Sequence, residues 1–195
     1  MRLNIFFISF FVFSLLSRAT LFAKQEMPVY ARVPDFTLTD QKGNPRGLHD
    51  LAGRVWIADF IFTRCQGMCP MLTGQMANLG KKLTNPAIQF VSFSVDPEYD
   101  TPAVLASYAA KYHAEERRWF FLTGPKETVQ KLVTNGFLLG VSDATPEDLA
   151  NGAEAVMHTS RFVLVDPKGE VRGYYDSSEP EAMNRLIQDA SALVD

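Results

Sequence analysis

Cys65 and Cys69 are the only cysteines in a chain of 195 residues, and three residues separate them. They follow the apolar run 55–62 and directly precede Pro70. Two thiols at this spacing can close a disulfide, or they can chelate a soft metal ion. We therefore interpret the pair as a redox or metal site rather than as two residues that fill space in the core.

The two cysteines fall on the turn between a predicted strand and a predicted helix. Residues 56–62 are almost wholly apolar, as in a buried strand, and residues 71–83 have the apolar spacing of an amphipathic helix. Proline suits the first position of a helix and disfavours the helical conformation in the residue before it. Cys69 is thus the predicted N-cap, where the positive end of the helix dipole would favour its thiolate.

Strand and helix patterns alternate along the rest of the chain, which predicts an α/β domain. An N-terminal hairpin is expected, because strand 34–40 is followed by turn residues at 42–45. Further strands are predicted at residues 88–95, 119–122, 136–141, 160–165 and 170–175, the last two forming a hairpin. Further helices are predicted at 101–113, 125–134 and 179–193, and an acidic, loop-rich insertion at 142–157 precedes the last hairpin.

Residues 1–23 carry a charged arginine at position 2 and continue as an apolar run, which is typical of a secretory signal or an N-terminal membrane anchor. We exclude this segment from the fold, interpret residues 24–33 as a linker and predict one domain over residues 34–195. Export would place the domain in the bacterial periplasm, or at the periplasmic face of the inner membrane if the segment is retained. A net charge of −3 without a basic run argues against nucleic-acid binding.

Four segments of the chain resemble the Sco/SenC family, which are thioredoxin-fold copper-binding proteins associated with cytochrome c oxidase assembly. The matching segments are residues 62–70, 94–102, 119–124 and 158–169. The resemblance covers nearly the whole exported domain. It implies a thioredoxin-like fold, in which a central mixed sheet is flanked by helices.

By this resemblance, Cys65, Cys69 and His158 match the copper ligands of the family. Two thiolates and one imidazole suit Cu(I), and Cu(II) is a second oxidation state that this site could bind. Zinc in a closed structural site usually has a fourth ligand. His49 and His113 lie outside every matched segment, and we interpret both as surface residues.

Three other residues near the matched segments have structural interpretations as well as functional ones. Met68 and Met157 flank the implied ligands, and we expect them to form an apolar rim rather than to bind copper. Met157 also departs from the family, which usually has an acidic residue before the histidine. Asp96 follows a predicted strand at the edge where α/β sheets bind ligands, but it can equally cap the turn and the next helix.

The resemblance implies a copper metallochaperone rather than an enzyme. Such a protein would deliver one copper ion to a cuproprotein, and the implied recipient is the cytochrome c oxidase subunit with the dinuclear copper centre. An upstream copper donor or a thiol reductant is a further implied partner. A copper or redox sensor, with residues 142–157 as an ordering loop, is a minor alternative.

A thiol-disulfide oxidoreductase is the main alternative function, with Cys65 and Cys69 as its redox pair. Asp59 lies in the middle of an apolar strand, six residues before Cys65, and resembles the buried acid of thioredoxins that assists proton transfer. The other interpretation of Asp59 is a hydrogen-bonded or solvated carboxylate. Ser160 stands where thioredoxin-like reductases carry a cis-proline, which weakens the reductase hypothesis.

Overall fold

An eight-stranded mixed sheet forms the centre of the structure, a computed structural model that describes residues 27–139 and 160–194. The order of the strands across the sheet is β1-β8-β7-β4-β5-β6-β2-β3. The strands are β1 (Ala31–Arg32), β2 (Thr37–Asp40), β3 (Pro45–Gly47), β4 (Val55–Ile61), β5 (Ile88–Ser94), β6 (Trp119–Thr123), β7 (Arg161–Val165) and β8 (Glu170–Asp176).

The two central strands, β4 and β5, are parallel and are buried along their whole length. Their register runs from Val55 opposite Ile88 to Ile61 opposite Ser94. A parallel strand that is covered on both faces is apolar on both faces, which explains the continuous hydrophobic runs in the sequence. Because the register has no bulge, the two strands end at the same level, and their carboxyl ends lie at the same edge of the sheet.

Helices cover both faces of this sheet. They are α1 (Leu48–Leu51), α2 (Met68–Lys82), α3 (Pro102–Lys111), α4 (Lys126–Lys131), which continues into a π-helical turn (Leu132–Gly136), and α5 (Pro180–Ala192). Successive side chains of a strand point to opposite faces. Ile57 and Ile61 of β4 pack in the core beneath α2, α3 and α5, whereas Trp56 and Phe60 pack on the side of α1 and α4.

Most predicted elements are confirmed within a residue or two, including the N-terminal hairpin (β2 and β3) and the C-terminal hairpin (β7 and β8). The strand predicted at 136–141 is wrong over its described part. Gly136 closes the π-helical turn, and Leu138 has a left-handed backbone with a φ of 50°. An extended strand is incompatible with that conformation.

Further sequence predictions concern the linker 24–33, the N-terminal segment 1–23 and the insertion 142–157. Ala31 and Arg32, inside the predicted linker, pair with β8 as strand β1. The predicted N-terminal segment 1–23 and the insertion 142–157 lie outside the described residues. Within residues 27–139 and 160–194, we find no helix of the length and apolar character required to cross a membrane.

Candidate metal centre

Residues 62–67, the cysteine loop, leave the carboxyl end of β4 and lead into α2. The loop turns back at once, because the backbone N–H of Cys65 donates to the carbonyl of Phe62 at 3.3 Å. Helix α2 then begins at Met68, with Gly67 as its N-cap. Cys65 is half-buried, and Cys69 is only 6% exposed, so one thiol lies nearer to solvent than the other.

The two cysteines are free thiols that lie close enough to interact electrostatically. Burial raises the pKa of the Cys69 thiol well above its ordinary value, and the contact with Cys65 and the charge of Asp59 raise it further. The prediction that Cys69 caps the helix and favours its thiolate is therefore wrong. Cys69 is the second residue of α2, where desolvation of the sulfur outweighs the field of the helix end.

A buried carboxylate anchors the cysteine loop from the turn that follows the neighbouring strand β5. Asp100 is inaccessible to solvent and accepts hydrogen bonds from the backbone N–H of Thr63 at 3.1 Å and from the Thr63 hydroxyl. The hydroxyl of Ser94, at the end of β5, also donates to Asp100 at 2.6 Å. Burial raises the pKa of Asp100, and these hydrogen bonds offset part of the rise. One side chain thus holds the ends of β4 and β5 together.

An ion pair on the surface ties the same two segments. The Arg64 Nε donates to Asp96 at 2.6 Å, and the Arg64 guanidinium lies over the ring of Tyr99 at 5.1 Å. The ion pair raises the pKa of Arg64. The N-cap of α3 is Thr101 rather than Asp96, because the Thr101 hydroxyl accepts the N–H of Val104. The carboxylate of Asp96 therefore holds the cysteine loop instead of capping the helix.

Thr63, Arg64 and Asp100 were not singled out by the sequence analysis, although each lies in a segment that carries the family resemblance. Asp100 stands 37 positions from Thr63 along the chain. A pattern of local spacing cannot predict that contact. The available signal was their position at the carboxyl ends of two strands that were predicted to be adjacent.

Asp59 is fully buried on β4, on the face that packs against α2. Neither of its carboxylate oxygens has a hydrogen-bond partner among the described residues. Burial raises the pKa of Asp59 from 3.8 to about 7. The hydroxyl of Ser92 is nearby and offsets part of that rise, but it forms no well-aligned hydrogen bond with the carboxyl group. The proton-transfer role of Asp59 stays a prediction.

His158 and Met157 lie outside the described residues, so the histidine ligand also stays a prediction. Across 27–139 and 160–194, no cluster of three or more histidine, cysteine or acidic side chains is arranged to hold a metal ion. The other two histidines, His49 and His113, are exposed, as predicted. Met68, next to Cys69, is 38% exposed.

Comparison with known proteins identifies relatives over most of this chain. The family model described as SCO1/SenC matches residues 24–194. The SCO1 protein homolog of Bacillus subtilis is 38% identical over 168 residues, which cover 85% of this chain and 84% of that protein. A Stutzerimonas stutzeri protein, named as a candidate copper-binding protein, is 32% identical over 151 residues, which cover 76% of this chain and 71% of the relative.

A solved structure of a relative has the same fold as this chain. BsSco, described as a member of the Sco family of cytochrome c oxidase assembly proteins with a disulfide switch, superposes with a TM-score of 0.75 at 35% identity. The match covers 88% of this chain and 98% of that structure. The predicted thioredoxin-like fold, a mixed sheet flanked by helices, is confirmed by this likeness.

Proposed function

The chain belongs to the SCO1/SenC family, and from this premise we propose that it is a copper metallochaperone. It holds one copper ion through Cys65, Cys69 and His158. The observation that carries this proposal is the pair of free thiols at the carboxyl edge of the sheet, one on the anchored cysteine loop and one in the first turn of α2. The candidate copper-binding protein of Stutzerimonas stutzeri supports copper as the cargo.

The donor set fits Cu(I) as cargo. Thiolates are soft ligands that select Cu(I), and both thiols lose their protons to solvent when the metal binds. A site with three ligands leaves one side of the ion open to an incoming thiolate from a recipient. Copper then passes by ligand exchange, without release as a free ion.

The recipient in this proposal is the subunit of cytochrome c oxidase that carries the dinuclear copper centre. The description of BsSco as a cytochrome c oxidase assembly protein supports this choice. An upstream donor or thiol reductant supplies the metal or keeps the cysteines reduced. The protein acts after export, on the periplasmic side of the inner membrane, as the N-terminal run 1–23 indicates.

An anaerobic Cu(I) competition titration of the reduced protein tests the ligand set. We expect wild type to bind one copper ion tightly, and His158→Ala to bind it more weakly while the fold stays intact. His113→Ala is the matched control, because His113 is exposed and lies outside the proposed site. Equal copper affinity in wild type and His158→Ala would show that His158 is not a ligand. Weak binding in wild type would refute the metallochaperone.

A thiol-disulfide oxidoreductase is the second candidate function. The buried carboxyl group of Asp59, which has no hydrogen-bond partner among the described residues, favours it. In this reaction Cys65 and Cys69 form a disulfide while a disulfide of the recipient is reduced to two thiols, so protons and electrons balance by exchange. A carboxyl group with a pKa of about 7 can accept the proton of the buried Cys69 thiol near neutral pH. The disulfide switch described for BsSco supports such chemistry.

Exchange rates with a small-molecule disulfide, measured from pH 5 to pH 9, test this second function. We expect Asp59→Asn to react more slowly than wild type and to lose the inflection near pH 7. His158→Ala should exchange like wild type, because the reaction needs no metal ligand. Equal rates for Asp59→Asn and wild type at every pH would exclude the proton-transfer role.

A further inference from the structure

Two methionines in the first turn of α2 lie at the surface beside the cysteine loop. Met68 is 38% exposed and Met71 is 56% exposed. The buried Met76, further along the same helix, shows the usual place of such a side chain. Core packing accounts for Met76, whereas Met68 and Met71 keep part of their side chains at the surface, where a ligand can reach them.

The spacing of the two methionines gives them neighbouring positions on the surface of α2. Residues three apart on a helix are neighbours on its surface, with Cβ atoms roughly 5–6 Å apart. Long helical side chains lean towards the N-terminus of their helix, which here is the side of the cysteine loop. Met68 directly precedes Cys69, so both methionines lie in the same first turn of α2 as this proposed thiol ligand.

Thioether sulfur is a neutral, soft ligand that suits Cu(I) and binds it without losing a proton. The thiols beside it differ, because each must give up a proton before it binds the metal. Arg64, a cation within the loop, is paired with Asp96 at 2.6 Å. Two thioethers at the surface beside the proposed thiol ligands are thus placed where an arriving Cu(I) first meets soft, neutral sulfur ligands.

We propose that Met68 and Met71 form a second, weaker Cu(I) site that loads the proposed cysteine site. An incoming Cu(I) exchanges its carrier ligands for the two thioethers. It then moves to Cys65, where a copper–thiolate bond forms, a copper–thioether bond breaks and the thiol proton leaves to water. Copper stays Cu(I) throughout. This inference rests on the proposed function, since it supplies the cargo of the same loop.

Silver(I), a soft ion that resists redox change, is the first probe of this loading site. We label the methionine methyl groups with ¹³C in the variant Cys65→Ser/Cys69→Ser, so that no thiol competes for the metal. The methyl resonances of Met68 and Met71 should shift on addition of Ag(I), while that of Met76 stays in place as an internal control. Unshifted Met68 and Met71 resonances, or equal shifts at Met76, would overturn the proposal.

Loading kinetics with intact cysteines give a second measurement that does not depend on the serine variant. Cu(I) is transferred anaerobically from a colorimetric chelator to wild type and to Met68→Leu/Met71→Leu, which nearly conserves volume. We expect loading about tenfold slower at unchanged equilibrium affinity, since kinetic steering alters rates by about one to three decades. Equal rates would overturn the loading role. Weak copper binding in wild type itself would refute the proposed function instead, so the two failures are distinguishable.

Discussion

Asp59 should make the stability of the reduced, metal-free protein depend on pH. Its pKa is raised from 3.8 to about 7 in the folded state because the carboxyl group is fully buried. The folded state therefore holds a proton that the unfolded state releases above about pH 4. The stability that this proton contributes is fully present below the unfolded pKa and is lost as pH rises through about 7.

The size of the effect follows from the same two values. One pKa unit corresponds to about 1.4 kcal/mol, so the rise from 3.8 to about 7 amounts to at most about 4 kcal/mol. About 3 kcal/mol of this loss falls between pH 5 and pH 8. Domains of this size are stable by about 5–15 kcal/mol, so the effect is a large share of the total.

Urea denaturation of wild type and Asp59→Asn from pH 5 to pH 8 measures this loss. The amide cannot ionise, so the variant should gain about 3 kcal/mol relative to wild type as pH rises across this window. Asp35→Asn is the matched control, because Asp35 is exposed and its removal should leave the pH profile parallel to that of wild type. A constant difference between wild type and Asp59→Asn at every pH would refute the reasoning.

Three further predictions concern the cysteine loop and its supports. Asp100→Ala leaves the half-buried donors of Thr63 and the buried hydroxyl of Ser94 without a partner and should cost about 3 kcal/mol in urea denaturation. Asp96→Ala, which breaks a surface ion pair, should cost less; a larger cost for Asp96→Ala than for Asp100→Ala would contradict the anchoring role of Asp100. Iodoacetamide should alkylate Cys65 before the buried Cys69, as followed by mass spectrometry. In urea the two cysteines should be alkylated at equal rates. Thr101→Ala should lower thermal stability by about 1 kcal/mol through the lost cap of α3, and an unchanged melting temperature would contradict it.

The central part of the fold could be predicted from the sequence because its signals are local. β4 and β5 are continuous apolar runs, and such runs of strand length are typical of parallel strands covered on both faces. The hairpin of β2 and β3 follows from turn residues, with Gly43 in the left-handed conformation that glycine tolerates. Neither prediction requires knowledge of distant contacts.

The cysteine environment could be predicted only in part. The spacing of Cys65 and Cys69 and the nearby Asp59 were visible, but the start of α2 was not, because proline is tolerated throughout the first turn of a helix. The raised pKa of the Cys69 thiol depends on burial, which the packed structure decides. The anchor at Asp100 depends on the register of two parallel strands, which no local pattern encodes.

The close spacing of the cysteines also governs what their oxidation would do to the unfolded chain. A bond between Cys65 and Cys69 would close a loop of about five residues, which restricts the unfolded ensemble by only about 2 kcal/mol, against nearly 5 kcal/mol for a loop of about 100 residues. Such a bond stabilises the fold less than a disulfide that closes a long loop. Forming and breaking it changes the ligands offered at the sheet edge and shifts the folding equilibrium by about 2 kcal/mol, a smaller step than a long-range disulfide would produce.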